Sequence, residues 1–393
     1  MEPHGLEPAT GMPEPLWQSF LKVCQLVEEK RSDISRCRHL PPAIEDAFRN
    51  ADLYRLLLPV DLGGLGIDPL QQLDLVERMA FHDASAAWNF AVGSGLGFFS
   101  GFMPPAQAKA LFTAEGSAGA GSGAPQGKAS RVEGGYIVEG RFSWASGIDQ
   151  AHWVYGGCFV IADGKPELLA NGRPRTIIAI APKTAAAVHD NWNVNGLVAT
   201  NSTEFTLENL FVPDERILPG TLDIPTHPDP LFRLPMTFFG FALSGVPLGA
   251  ARRAVEGLKL LATTKRPAGR SSLSEKGFAL YAVAKAEAII EASGTQIRKA
   301  FTAMWETVQQ GETCSLASRA AVRRATAHAA EASLEAVNLC YRAAEGSALF
   351  DDAPFGAAVR DVNAMCGHLV FQRSMMEDAG RATLGLEPVL PVF

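Results

Sequence analysis

The spacing of apolar residues changes twice along this chain, from helical to alternating and back to helical. Few architectures accept that order. Between Pro15 and Arg31, Leu16, Phe20, Val23 and Val27 recur at helical spacing. A second helix is predicted after Pro42, a residue suited to a first helical turn. Asp61-Leu-Gly-Gly-Leu-Gly66 interrupts the pattern as a turn, and helical spacing resumes from Pro69 to Phe90. Past residue 116 the character differs. Ala118–Gly127 is almost entirely Gly, Ala and Ser with Pro125, and reads as a loop. Short segments follow at 130–132, 134–140, 152–160, 175–181 and 202–207, about ten residues apart with Gly and Asn between them, which predicts an antiparallel β domain. A Pro- and Asp-rich linker spans 217–230. From Phe232 almost to the end the helical period returns, with helices predicted at 242–264, 274–310, 314–346 and 356–385. Long helices with short joins predict a four-helix bundle. The expected organisation is an N-terminal helical domain (1–115), a central β domain (116–216) and a linker with a C-terminal bundle (217–393), a fold that is mainly α with one β domain.

Composition narrows the function classes. Net charge is −7 with no basic block, which argues against nucleic acid as a partner. The six cysteines are scattered without a CxxC pair and the histidines lack zinc-like spacing, so free thiols and no metal are expected. No apolar run reaches the ~18 residues of a membrane span. The Pro- and Glu-rich start lacks the basic-then-apolar order of a secretory signal, so a loose arm and a cytoplasmic location are expected. No G-x-G-x-x-G follows a predicted strand, so the chain is not expected to use NAD(P)H by itself. The Ala-rich apolar helices of 279–349 exceed what one bundle buries, which predicts a homotetramer, or at least a dimer, packed through the C-terminal bundle.

Four segments, in order, resemble the acyl-CoA dehydrogenase superfamily over nearly the whole chain. They are Leu58-Pro-Val-Asp-Leu-Gly-Gly-Leu-Gly66, Glu77-Arg-Met-Ala-Phe-His-Asp-Ala-Ser-Ala-Ala-Trp88, Gly135-Tyr-Ile-Val-Glu-Gly-Arg-Phe-Ser-Trp-Ala-Ser-Gly147 and Phe211-Val-Pro213. Three departures separate it from the dehydrogenases themselves. Gly121-Ser-Gly-Ala-Pro125 replaces a "TEP" strand. Lys265-Arg-Pro-Ala-Gly269 lacks the Phe of an "R..FG" segment. Arg360-Asp-Val-Asn-Ala-Met-Cys-Gly-His368 puts a His where "EGT" is usual. That combination is similar to the two-component flavin monooxygenases of this fold. Trp192–Ser202 resembles their "W…GLR.TGS" loop, with Val198 at the usual Arg and Asn201 at a usual Gly.

This resemblance implies an oxygenase component that takes reduced FMN or FAD from a separate flavin reductase and uses O2, through a C4a-(hydro)peroxyflavin, to hydroxylate a hydrophobic or aromatic small molecule. It implies Ser146 at the flavin N5, since a hydroxyl donates and accepts, and Trp144 packed on the ring. It implies His368 as a proton-transfer or anchoring group, titrating near the ordinary imidazole value of about 6.5. Gly123 and Pro125 would line the pyrimidine edge, where the Ala118–Gly127 segment brings backbone N–H groups from its non-proline residues. Thr200 and Ser202 would contact the ribityl chain or phosphate, and Lys265 and Arg266 the phosphate. Phe98, Phe99, Phe238 and Phe239 would form an apolar substrate pocket. Arg360 and Asp361 would pin their helix. Two other readings stand beside this one. A dehydrogenase or nitroalkane-oxidase-like FAD enzyme would need a carboxylate base such as Glu345, Asp352 or Glu377. A non-catalytic subunit would need none of these groups.

Overall fold

The computed structural model describes residues 11–113, 118–236, 238–265 and 272–390. Arg266 and the basic segment around it lie outside the described residues, as does the N-terminal arm up to residue 10. Among the described residues six α-helices precede the sheet: α1 (Glu14–Glu29), α2 (Arg31–Arg36), α3 (Pro42–Asn50), α4 (Pro69–His82), α5 (Ala84–Gly95) and α6 (Pro105–Thr113). The single helix expected over 69–90 is two. Asp83 adopts an extended conformation (φ −156°, ψ 130°), and its carboxylate accepts the Ala86 N–H at 2.9 Å, capping α5. The new direction of α5 carries Trp88 toward the sheet.

Eight strands follow: β1 (Gly119–Val132), β2 (Gly135–Phe142), β3 (Trp153–Ala162), β4 (Lys165–Pro166), β5 (Thr176–Pro182), β6 (Ala187–Val188), β7 (Phe205–Pro213) and β8 (Ile217–Pro219). They form one sheet in the order β6-β7-β2-β1-β3-β5-β8, with β4 on β3. Three sequence expectations need correction. The sheet is mixed, because β1 and β3 run parallel. The Gly/Ala/Ser segment is also no free loop but part of β1, interrupted by register shifts between Ser122 and Gly127. Small residues allow this. A Cβ on Gly157 would fall 2.3 Å from the Gly123 carbonyl and 2.5 Å from that of Ala124, so the bulged backbone rests directly on β3. The presumed linker also contributes β8, which pairs with β5.

Side-chain alternation divides the sheet's two faces. Trp153, Tyr155, Ile178 and Ile180 join the large helical core, whereas Val154, Cys158, Ile177 and Ala179 join Phe142 and Phe205 in a second core. The Phe142 ring stacks on Phe205 with centroids 5.0 Å apart and anchors the end of β2, just before Trp144.

Six helices follow the sheet: α7 (Phe238–Leu243), α8 (Gly245–Thr264), α9 (Gly277–Gln309), α10 (Leu316–Ala343), α11 (Pro354–Cys366) and α12 (Arg373–Thr383). Helices α8 to α11 pack together as the bundle, and α4 lies along α8. Gly249 permits that approach, since a Cβ there would stand 2.1 Å from the Glu77 carbonyl. The helix expected over 356–385 breaks after Cys366. His368 turns extended (φ −74°, ψ 141°) and starts a short 3-10 turn, Leu369–Phe371. No described helix is long and apolar enough to cross a membrane.

Candidate active site

The region between α5, the β2–β3 connection and the α11 terminus gathers the groups that carry chemistry. Beyond Phe142 the chain leaves the ladder. Ala145 N–H donates to Thr203 O at 3.0 Å and Gly147 N–H to Thr200 O at 2.9 Å, so this connection is laced to the segment before β7. Ser146 is buried, and its Oγ accepts the Trp88 indole N–H at 3.1 Å. The His368 ring meets the same indole edge to face, with centroids 5.2 Å apart. Trp88 therefore joins the two groups that the sequence nominated for catalysis.

Trp144 combines two unusual properties. Its φ is +69°, a left-handed conformation that a bulky side chain rarely adopts, and 64% of its surface is exposed. Its ring stands edge-on to Trp192, at 5.9 Å between centroids. Trp192 is in turn held by its N–H on the Val198 carbonyl at 3.1 Å. A strained backbone that presents a large ring at the surface marks a position kept for something other than packing. This is the observation that fits a planar cofactor. The bulge supports the same edge, for Gln126 Oε1 accepts the Ser143 N–H at 2.8 Å. Gly123 and Pro125 are exposed on that bulge.

Thr200 and Ser202 are buried rather than open to a phosphate. Their hydroxyls lie 2.7 Å apart, and Ser202 Oγ is 2.7 Å from Ser146 Oγ. Their segment turns on two left-handed residues, Leu197 (φ +51°) and Asn201 (φ +39°). The second explains why Gly is usual there and Asn tolerable, since Asn enters that region more readily than most side chains. Asp361 does not pin its own helix. Its Oδ1 accepts the Leu197 N–H at 2.7 Å and fixes this loop. Burial pushes the Asp361 carboxyl up to about 7, against the Leu197 N–H that favours its charged form.

Burial also corrects the titration expected of His368. Loss of solvent pushes the imidazole down to about 4, so the ring is neutral at pH 7. Val370 N–H stands 3.5 Å from its Nδ1, at the outer limit of a hydrogen bond.

The four phenylalanines do cluster, but unequally. Phe98 is fully buried with Phe238 and Phe239 each 5.1 Å away between centroids, so Phe98 and Phe238 are core. Phe239 is half-buried, and Phe99 packs edge-on to Tyr155 at 5.2 Å. Phe99 is buried as well, so Phe239 alone of the four keeps part of its surface open. Lys265 lies at the end of α8, where its Nζ donates to Ser347 Oγ within the bundle. The carboxylates that a dehydrogenase would need, Glu345, Asp352 and Glu377, are all exposed, and Glu377 pairs with Arg373 at 3.1 Å. Sequence reasoning assigned no role to Trp88, although it closes the second family-like motif, and none to Ser85, whose Oγ accepts the Ala199 N–H at 3.3 Å.

Residues 241–373 match the family model described as acyl-CoA dehydrogenase, C-terminal domain. Indole-3-acetate monooxygenase of Pseudomonas putida is 26% identical over 91% of this chain and 90% of its own length. The flavin-dependent monooxygenase oxygenase subunit HsaA of Mycobacterium tuberculosis is 27% identical over 83% of this chain and 84% of its own. The chain is similar to flavin-dependent monooxygenases over most of its length, and its C-terminal third carries the acyl-CoA dehydrogenase domain. The fold agrees along the whole chain. XiaF from Streptomyces, solved with FADH2 and glycerol, superposes with a TM-score of 0.87 at 21% identity, covering 96% of this chain and 97% of that one. The resorcinol hydroxylase of Rhizobium, 26% identical over 93% of this chain and 93% of its own length, is named as an FADH2-dependent oxygenase component.

Proposed function

We propose that this chain is the oxygenase of a two-component system, receiving reduced FMN or FAD from a separate flavin reductase and hydroxylating a hydrophobic, aromatic small molecule. The observation that carries this reading is the convergence of Ser146 and His368 on Trp88, while Glu345, Asp352 and Glu377 all lie exposed. Bound reduced flavin supplies the electrons that activate O2. The protein's groups do the rest. Trp144 and the Gly123–Pro125 bulge border the flavin ring. Ser146 meets N5. His368, neutral and desolvated, accepts a proton from the substrate or holds its polar group. Phe239, backed by Phe99 and through it by Tyr155, offers its ring to an aromatic substrate, a class in keeping with the indole named for the Pseudomonas relative.

The test is to supply anaerobically reduced flavin, then air and an indole or phenol acceptor. Hydroxylated product is expected, with no NADH consumed unless a reductase is added. Reduction of bound FAD by an acyl thioester would favour the dehydrogenase reading instead.

The homotetramer belongs to the same proposal. Leu260, Phe278, Leu280 and Tyr281 are each about half exposed or more, on α8 and the start of α9. Apolar side chains crowded on one part of a bundle are the usual mark of an interface. Light scattering should give a multiple of the chain mass, and a monodisperse monomer would contradict it.

A further inference from the structure

Three hydroxyls between two fixed ends form a hydrogen-bonded line through the site. It begins at the Trp88 indole N–H, which only donates, 3.1 Å from Ser146 Oγ. It runs from Ser146 Oγ to Ser202 Oγ at 2.7 Å, and from there to Thr200 Oγ1 at 2.7 Å. It ends at the Leu197 carbonyl, which only accepts, 2.9 Å from Thr200 Oγ1. Each hydroxyl has one proton. Thr200 commits its proton to Leu197, so Ser202 must donate to Thr200, and Ser146 must donate to Ser202. Four protons fill four bonds, and reversing any one sets two donors or two lone pairs against each other in a buried place. The far end cannot drift, because the Leu197 N–H is held by Asp361 at 2.7 Å.

We infer that Trp88, Ser202 and Thr200 are positioning residues that leave Ser146 one lone pair and no proton to offer outward, so that the site selects reduced over oxidised flavin. The inference rests on the proposed placement of Ser146 at N5. In oxidised flavin N5 is a bare nitrogen that can only accept. In reduced flavin it carries a proton and donates. Ser146 Oγ already takes one hydrogen bond from Trp88 and keeps a single acceptor site. That site matches an N5–H and opposes a bare N5. A hydroxyl free to rotate would serve both redox states equally. Here the preference originates in the line behind Ser146, at residues that reach the cofactor only through it.

Dissociation constants of oxidised and anaerobically reduced FMN and FAD test this in the wild type and three variants. The wild type should favour reduced flavin. Ser202→Ala removes the acceptor of the Ser146 proton, which can then turn outward. Affinity for oxidised flavin should rise about three- to tenfold, the worth of one neutral hydrogen bond, and the preference should narrow by that factor. Thr200→Val should narrow it in the same direction, because Ser202 then turns its proton back onto Ser146. Trp88→Phe leaves the Ser146 proton committed to Ser202, so the preference should persist even if both affinities fall. An unchanged preference in both Ser202→Ala and Thr200→Val, with flavin still bound, overturns the relay and leaves the oxygenase reading standing. A wild type that binds neither redox state overturns the placement of Ser146 and the relay with it.

Discussion

Replacing His368 by Asn is expected to lower substrate hydroxylation by about 10²–10⁴, the range for removing a proton-transfer group, while reduced-flavin binding stays nearly intact. Asn keeps polarity and approximate shape but cannot exchange a proton near neutrality. The pH profile should identify the same group. Burial holds the wild-type imidazole down at about 4, so the acid limb should appear near that value, not near 6.5, and should vanish in the variant. Stability follows the same proton. The unfolded chain takes up a proton on this ring near its ordinary value of about 6.5. The folded chain does so only near 4, so folding weakens as pH falls through that window. His368→Asn should therefore flatten the acid-side loss of stability between about pH 6.5 and 4. Wild-type rate and coupling in the variant would remove His368 from the chemistry.

The largest stability effect is expected at Glu77, far from any reacting atom. Its side chain is fully buried and bridges two cations, with Arg252 Nε at 2.6 Å and Arg298 Nη2 at 2.7 Å. Burial alone would push this carboxyl up. Arg298 and Arg252 outweigh it and hold the group below the usual carboxylate range. Glu77→Gln keeps the volume but takes the shared carboxylate from Arg252 and leaves Arg298 its ion pair with Asp74. Removing one side of a buried ion pair costs about 3–5 kcal/mol. The arginine side chains here are 21% and 31% exposed, so solvent recovers part of that and about 2–4 kcal/mol is expected. The loss should appear as a lower thermal midpoint. A Glu77→Met, Arg298→Met double variant should cost less than the sum of its single changes, since it removes both members of a pair. A Glu77→Gln protein within about 0.5 kcal/mol of wild type would contradict this account of the α4–α8 seam.

The segment from Glu77 to Trp88 shows how much of the site was legible. Four polar positions in it have a mechanical task. Glu77 ties α4 to the bundle, Asp83 caps α5, Ser85 holds the Ala199 N–H, and Trp88 donates to Ser146. Sequence alone reveals the pattern because these tasks fix residue type and spacing on consecutive helical turns. It does not reveal the partners of Glu77, Ser85 and Trp88, which arrive from 58 to 221 residues away. The same limit explains the misread portions. The Gly/Ala/Ser run carries no side-chain period, so nothing local distinguishes a loop from a bulged strand held by β3. The break at His368 is masked because Gly367 stays helical (φ −75°) and apolar residues continue on both sides. The lowered titration of His368 comes from burial, which a residue's own neighbours in sequence cannot set. The helix, sheet, helix order was legible throughout, because a change of period survives local error.

The central claim is that this chain transfers an oxygen atom with electrons from reduced flavin. Isotope-labelled O2 tests it most directly. The protein is mixed anaerobically with photoreduced FMN or FAD and an aromatic acceptor, then exposed to labelled O2, and the product is weighed by mass spectrometry. The account predicts one labelled oxygen atom per product molecule, with product formed in the absence of NADH. Unlabelled or absent product, together with flavin that is bleached by an acyl thioester under anaerobic conditions, would contradict it.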